Sequence, residues 1–180
     1  FSRADLDQGL NNGGAVANSG EIIAGWDRRS SAMRDKYPQH LDLRYGPRER
    51  NRIDFLLSAA GGPTLVFIHG GYWQARAKEN FTTFATGPLS HGINVALIGY
   101  TLAPDASIDD IVGEISSDIH FLADGLPVLG GDPGRIFVSG WSAGGHLTAM
   151  ALAHPRVQAG LAISGIFDLE PLVPFYLNDA

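Results

Sequence analysis

Ser142 stands in Gly140-Trp141-Ser142-Ala143-Gly144, directly after the apolar run Arg135–Ser139 and directly before a helix-forming run from Ala143 to Ala153. G-x-S-x-G between a strand and a helix is the pattern of a nucleophile elbow. The chain must turn sharply there, and residues without a Cβ avoid collision across the turn. A serine so held lifts its hydroxyl above the C-terminal edge of a sheet. The helix N-terminus beneath it directs free N–H groups toward developing negative charge. The expectation is a Ser142 nucleophile with a strained or positive φ.

A second cluster, His69-Gly70-Gly71-Tyr72-Trp73, follows the apolar run Thr64–Ile68. Loops of this kind supply the oxyanion hole of lipases and esterases. Acyl transfer creates an oxyanion, and preorganised N–H donors must meet it about 3 Å away. The amides of Gly71 and Tyr72 are assigned to the hole, with Gly70 giving the loop its freedom and Ala143 as third donor. Trp73 and Trp141 are candidate walls of a substrate pocket. His69 reads as a structural histidine that hydrogen-bonds the loop.

A serine nucleophile needs a base, itself oriented by a carboxylate. His146, four residues past Ser142, is expected to point down beside the sheet. His91, His120 and His154 lie near expected helix ends and suit surface or capping roles. Asp168 and Asp179 follow the last strand and read as structural. No His is expected within hydrogen-bond reach of Ser142.

Elements to position these residues follow from periodicity. Asn11–Gly20 reads as a loop, and Ser19 caps a helix from about Gly20 to Tyr37, ended by Pro38. His40–Tyr45 and Arg52–Leu57 alternate apolar and polar residues, as in antiparallel strands wet on one face, with Gly46-Pro47 turning between them. Thr64–Ile68, Ile93–Ile98, Arg135–Ser139 and Ala159–Ile163 are apolar runs. Between them, Lys78–Ser90, Ile108–Leu122 and Ala143–Ala153 have helical spacing. Strands alternating with helices predict an α/β fold with a mostly parallel sheet and antiparallel strands at its front.

Composition narrows the function. Of 180 residues, 44% are hydrophobic and 18% charged, the balance of a chain with a core. The net charge of −6 and the lack of a basic patch argue against nucleic acid. Four arginines from Arg44 to Arg52 are diluted by Glu49 and Asp54 and read as a solvated strand edge. The sequence contains no cysteine, which excludes disulfides, thiol nucleophiles and thiolate metal sites. Phe1–Leu10 has no basic, then apolar, signal pattern, and no run approaches the ~20 apolar residues of a membrane span. A cytoplasmic protein without membrane contact is expected.

With both motifs in place, the chain resembles the arylformamidase (kynurenine formamidase) family of α/β-hydrolases and related esterases. The likeness is carried by HGGYW at 69–73, YTLAP at 100–104, GGDPGRIFVSGWSAGGHLTAMAL at 130–152 and SGIFDLEPL at 164–172. It implies an α/β-hydrolase fold and hydrolysis of the N-formyl amide of an aryl amine such as N-formylkynurenine, with no metal or cofactor. It also implies Ser142 as nucleophile and an oxyanion hole lined by Gly71, Tyr72 and Ala143. Trp141 stands where many arylformamidases carry His. The family's triad Asp and His lie well downstream of its serine, so both are expected outside this chain. Residues 1–180 then read as the N-terminal and central part of one domain of about 250 residues. The remainder, a second chain or a homodimer partner is expected to cover the open side. Besides an aryl formamidase, a broad carboxylesterase on short acyl or aryl esters and a non-catalytic hydrolase-derived module fit the residues.

Overall fold

A computed structural model describes residues 2–174; Asp179 lies outside them. Six strands form one mixed sheet. They are β1 (Leu43–Arg44), β2 (Arg52–Leu56), β3 (Gly62–Ile68), β4 (Asn94–Ile98), β5 (Gly131–Trp141) and β6 (Val157–Ile163), in spatial order β1-β2-β4-β3-β5-β6. β1, β2 and β4 pair antiparallel, and β4, β3, β5 and β6 pair parallel. Residues 57–61 thus carry the chain from the antiparallel β2 into the parallel β3. The expected α/β-hydrolase architecture is present.

The helices are α1 (Arg3–Gly9), α2 (Asn12–Ala15), α3 (Ser19–Lys36), α4 (Thr86–Ser90), α5 (Ile108–Leu129) and α6 (Ala143–Ala151). Ser107 and Asp110 form a reciprocal capping box at the start of α5, and Gly130 ends it with a left-handed φ of 89°. The inner face of α5, with Ile111, Ile115, Ile119 and Leu122 wholly or nearly buried, covers a core built on Val66, Ile68, Ile98 and Val138. A second core on the other face holds Leu56, Phe67, Phe81 and Leu97, with Met33, Tyr37 and Trp141 against it. No helix among the described residues is long and apolar enough to cross a membrane.

Several expectations need correction. Asn11–Gly20 is not all loop: Asn11 accepts from the Gly14 amide and starts the short α2, and Asn18, not Ser19, occupies the cap of α3. Ser19 instead bonds the Gly13 carbonyl. The strand expected over His40–Tyr45 shrinks to Leu43–Arg44, because His40 ends a 3-10 turn and Asp42 takes a φ of 58°. The Lys78–Ser90 segment is a 3-10 helix to Ala85 before it becomes α4. α5 runs seven residues beyond Leu122, which puts His120 in mid-helix rather than at an end.

β2 is buried on both faces, not wet on one. Its polar residue Asp54 is fully buried and pairs with Arg34 of α3 and with Lys78 Nζ at 2.8 Å. Lys78, itself buried, also meets Asp42 and Glu79, each at 2.6 Å. Alternation in sequence marks which residues are polar. It does not reveal that α3 and the 78–85 segment bring partners for them.

Candidate active site

β3 and β5 are neighbours, with Ile68 opposite Gly140, so the two loops that follow them leave the same sheet edge side by side. The loops interlock. A Cβ added to Gly144 would lie 2.1 Å from the Ile68 carbonyl oxygen, and one on Gly70 would lie 2.5 Å from the Trp141 oxygen and 3.2 Å from Ser142 Cβ. Only hydrogen fits at these two positions.

Ser142 sits between β5 and α6 as the N-cap residue, with φ 59° and ψ −118°. Its own amide donates to the Ile163 carbonyl at the end of β6, and its carbonyl accepts from Gly145 and His146. The turn is over-determined from both sides, which is how a non-glycine residue is kept at positive φ. The Ser142 side chain is half-buried and makes no hydrogen bond to a described residue. Ala143 occupies the first turn of α6, where N–H groups have no intrahelical acceptor.

The 69–73 loop is equally strained. Gly71, Tyr72 and Trp73 have φ values of 121°, 51° and 59°. Gly71 accepts from the amides of Gln74 and Ala75, and a Cβ on it would fall 2.2 Å from the Ala75 oxygen. The Tyr72 hydroxyl donates to the Leu10 carbonyl, so the N-terminal segment is tied across this loop.

His69 is buried and stacked on Tyr100, with ring centroids 4.2 Å apart, and its Nδ1 lies 2.9 Å from the Gly70 carbonyl. The Tyr100 hydroxyl donates to the His69 carbonyl. Burial depresses the His69 pKa to about 4, so the ring is neutral near pH 7 and Nδ1–H donates to Gly70. The expected structural histidine is there. Tyr100 was missed as its support, because nothing in YTLAP reveals a contact 31 residues away.

Other candidates move. Trp141 is half-buried and lines a small cavity of about 30 Å³ with Trp26, Arg76 and Phe81. Its indole stands edge-on to Trp26 of α3 at 5.7 Å and tilted on Phe81 at 5.9 Å, in the second core. Trp73 is buried and lines a cavity of about 280 Å³ with Tyr72, Ala106 and Leu169. His146 does not point down beside the sheet: its ring meets Trp73 edge-on at 5.3 Å, and burial lowers its pKa. Its ring makes no hydrogen bond to the Ser142 hydroxyl, although its amide donates to the Ser142 carbonyl.

His91 caps the end of α4, exposed. His154 is buried rather than at the surface and bonds His120 at 2.8 Å. Asp168 is exposed and accepts from the Glu170 amide, a local structural role. Asp118, on the inner face of α5, is buried with no hydrogen-bond partner, and burial raises its pKa well above the carboxylate range. Among the described residues no three His, Asp or Glu come together as a metal site.

Residues 57–161 match the BD-FAE family. The chain is 28% identical over 150 residues to the kynurenine formamidase of Danio rerio, covering 77% of this chain and 50% of that protein. It is 30% identical over 152 residues to an isoprenylcysteine alpha-carbonyl methylesterase of Arabidopsis thaliana, covering 74% and 36%. A crystal structure from a Silicibacter species, of a protein assigned by name to the thioesterases, superposes with a TM-score of 0.86 at 32% identity, covering 97% of this chain and 68% of that one. The chain spans half the length of the zebrafish relative.

Proposed function

From the premise that this chain belongs to the BD-FAE family, within the arylformamidase-like α/β-hydrolases, we propose that it carries the nucleophile and oxyanion hole of a serine hydrolase of amide or ester bonds. Residues 1–180 are then the N-terminal and central part of one α/β-hydrolase domain, and the substrate is a small molecule. The observation that carries the reading is Ser142 at φ 59° on the turn from β5 to α6, with Gly70 against it.

In this reading Ser142 Oγ attacks the carbonyl carbon as a base removes its proton. The carbonyl oxygen becomes an oxyanion between the amides of Ala143 and the Gly71–Tyr72 turn, whose strained backbone holds donors in place before charge develops. Collapse expels the amine or alcohol with a proton returned by the base, leaving an acyl-enzyme that water hydrolyses. The base and its carboxylate come from outside the described residues. His69 is neutral and faces its own loop, and His146 lies against Trp73. The kynurenine formamidases among the relatives support an aryl formamide as substrate.

The test uses the full-length protein. A fluorophosphonate should label Ser142, and Ser142→Ala should abolish labelling and lower kcat/KM by at least about a thousand-fold on whichever of N-formylkynurenine and p-nitrophenyl acetate is turned over. A protein that is folded, unlabelled and inactive on both would instead be a non-catalytic module.

A further inference from the structure

We infer that the cavity beside the Tyr72–Trp73 turn receives an uncharged apolar leaving group of the substrate, the size of one ring, so that simple formanilides and aryl esters are hydrolysed in preference to zwitterionic amino-acid amides. This deepens the serine-hydrolase reading and rests on it.

The argument begins with position. Tyr72 and Trp73 enter the cavity from the loop after β3, Ala106 and Ile108 from the segment after β4, and Leu169 from the segment after β6. All three segments leave the C-terminal ends of parallel strands, where open α/β sheets gather their ligands. The cavity shares its loop with Gly70, which abuts Ser142. A group seated here is therefore joined to a carbonyl at the nucleophile by a short span of substrate.

The chemistry of the walls follows. No described residue lining the cavity is an Asp, Glu, Lys, Arg or His. Gln74 contributes an uncharged amide, Ser107 Oγ is engaged with Asp110 in the α5 cap, and the Tyr72 hydroxyl donates to Leu10. An ammonium and a carboxylate entering such a site would lose water without meeting a counter-charge, which is strongly unfavourable. Apolar atoms gain in the same transfer. The volume, about 280 Å³, lies below the roughly 300–1,000 Å³ that hold a whole drug-sized ligand, so the space suits one group of a substrate.

Half-buried Ile108, at the first position of α5, allows the cavity to be narrowed or widened. In the full-length protein, kcat/KM for formanilide should exceed that for N-formylkynurenine by at least about ten-fold. Ile108→Trp should lower the ratio of kcat/KM for phenyl acetate to that for ethyl acetate about ten-fold, and Ile108→Ala should raise the naphthyl-to-phenyl acetate ratio. Fluorophosphonate labelling of Ser142 reports whether each variant is folded and armed. If labelled variants leave both ratios unchanged, or if N-formylkynurenine matches or exceeds formanilide in the native protein, the inference is overturned while the hydrolase reading stands. Should Ile108→Trp go unlabelled, Ile108→Ala decides, an unchanged ratio overturning the inference. Native protein that is not labelled at Ser142 overturns both.

Discussion

At the C-terminal end of β3 and β5, three buried ring nitrogens have no hydrogen-bond partner among the described residues: His69 Nε2, Trp73 Nε1 and His146 Nδ1. Around Asp54, by contrast, Arg34 and Lys78 bring positive charge to Asp42, Asp54 and Glu79. An unmatched buried polar atom costs about 1–3 kcal/mol, so a fold tolerates few of them. The first region adds positive φ at Tyr72, Trp73 and Ser142 to that cost. The second has one positive φ, at Asp42, sets its buried atoms of one charge against the opposite charge, and binds α3 and the 78–85 segment to β2. Unmatched ring nitrogens and a run of positive φ values mark the edge where chemistry is proposed, and opposed charges mark the edge that holds the sheet together.

Three experiments would break or sharpen this contrast. The largest effect is expected at the ion cluster. Lys78→Met leaves the fully buried Asp54 with the Arg34 guanidinium and the Asp42 amide and should cost about 3–5 kcal/mol in urea unfolding. A loss below about 1 kcal/mol would mean that the cluster is solvated and not structural.

A slightly smaller effect is expected from His69, and it depends on pH. Burial lowers its folded-state pKa from the ordinary 6.5 to about 4, so the unfolded chain takes up the proton first. The stability associated with the neutral ring is complete above pH 6.5 and is lost as pH falls toward 4, by about 3 kcal/mol in all. Unfolding free energies measured across that window should fall less steeply in His69→Phe than in the native protein. Parallel profiles would show that the ring titrates normally and is open to water.

The smallest effect is expected at the exposed pair of Arg156 and Asp124, 3.8 Å apart. Arg156→Ala should change stability by no more than about 0.5 kcal/mol, since solvent screens such pairs. A loss comparable to that of Lys78→Met would remove burial as the reason for the difference between the two kinds of ion pair.

The legible parts of this protein are those governed by neighbours in the chain. Apolar runs marked β3, β4 and β5 because strands covered on both faces must be apolar throughout. The glycines around Ser142 and after His69 announced two tight turns because only hydrogen clears the opposing carbonyls. Ser107 and Asp110 cap α5 three residues apart, a purely local arrangement. Tertiary structure decided the rest. Trp141 precedes the nucleophile in sequence, and its surroundings were set by α3, which brings Trp26 against it. His146 looked like a residue buried beside the sheet until the 69–73 loop set Trp73 against its ring. Asp54 looked like the wet side of a strand, and partners 20 and 24 residues away made its burial tolerable. Backbone conformation is chosen by residues a few positions apart, so the sequence alone determined the two turns. The surroundings of a side chain are chosen by whichever distant element packs on it, and only the folded sheet and helices determined those.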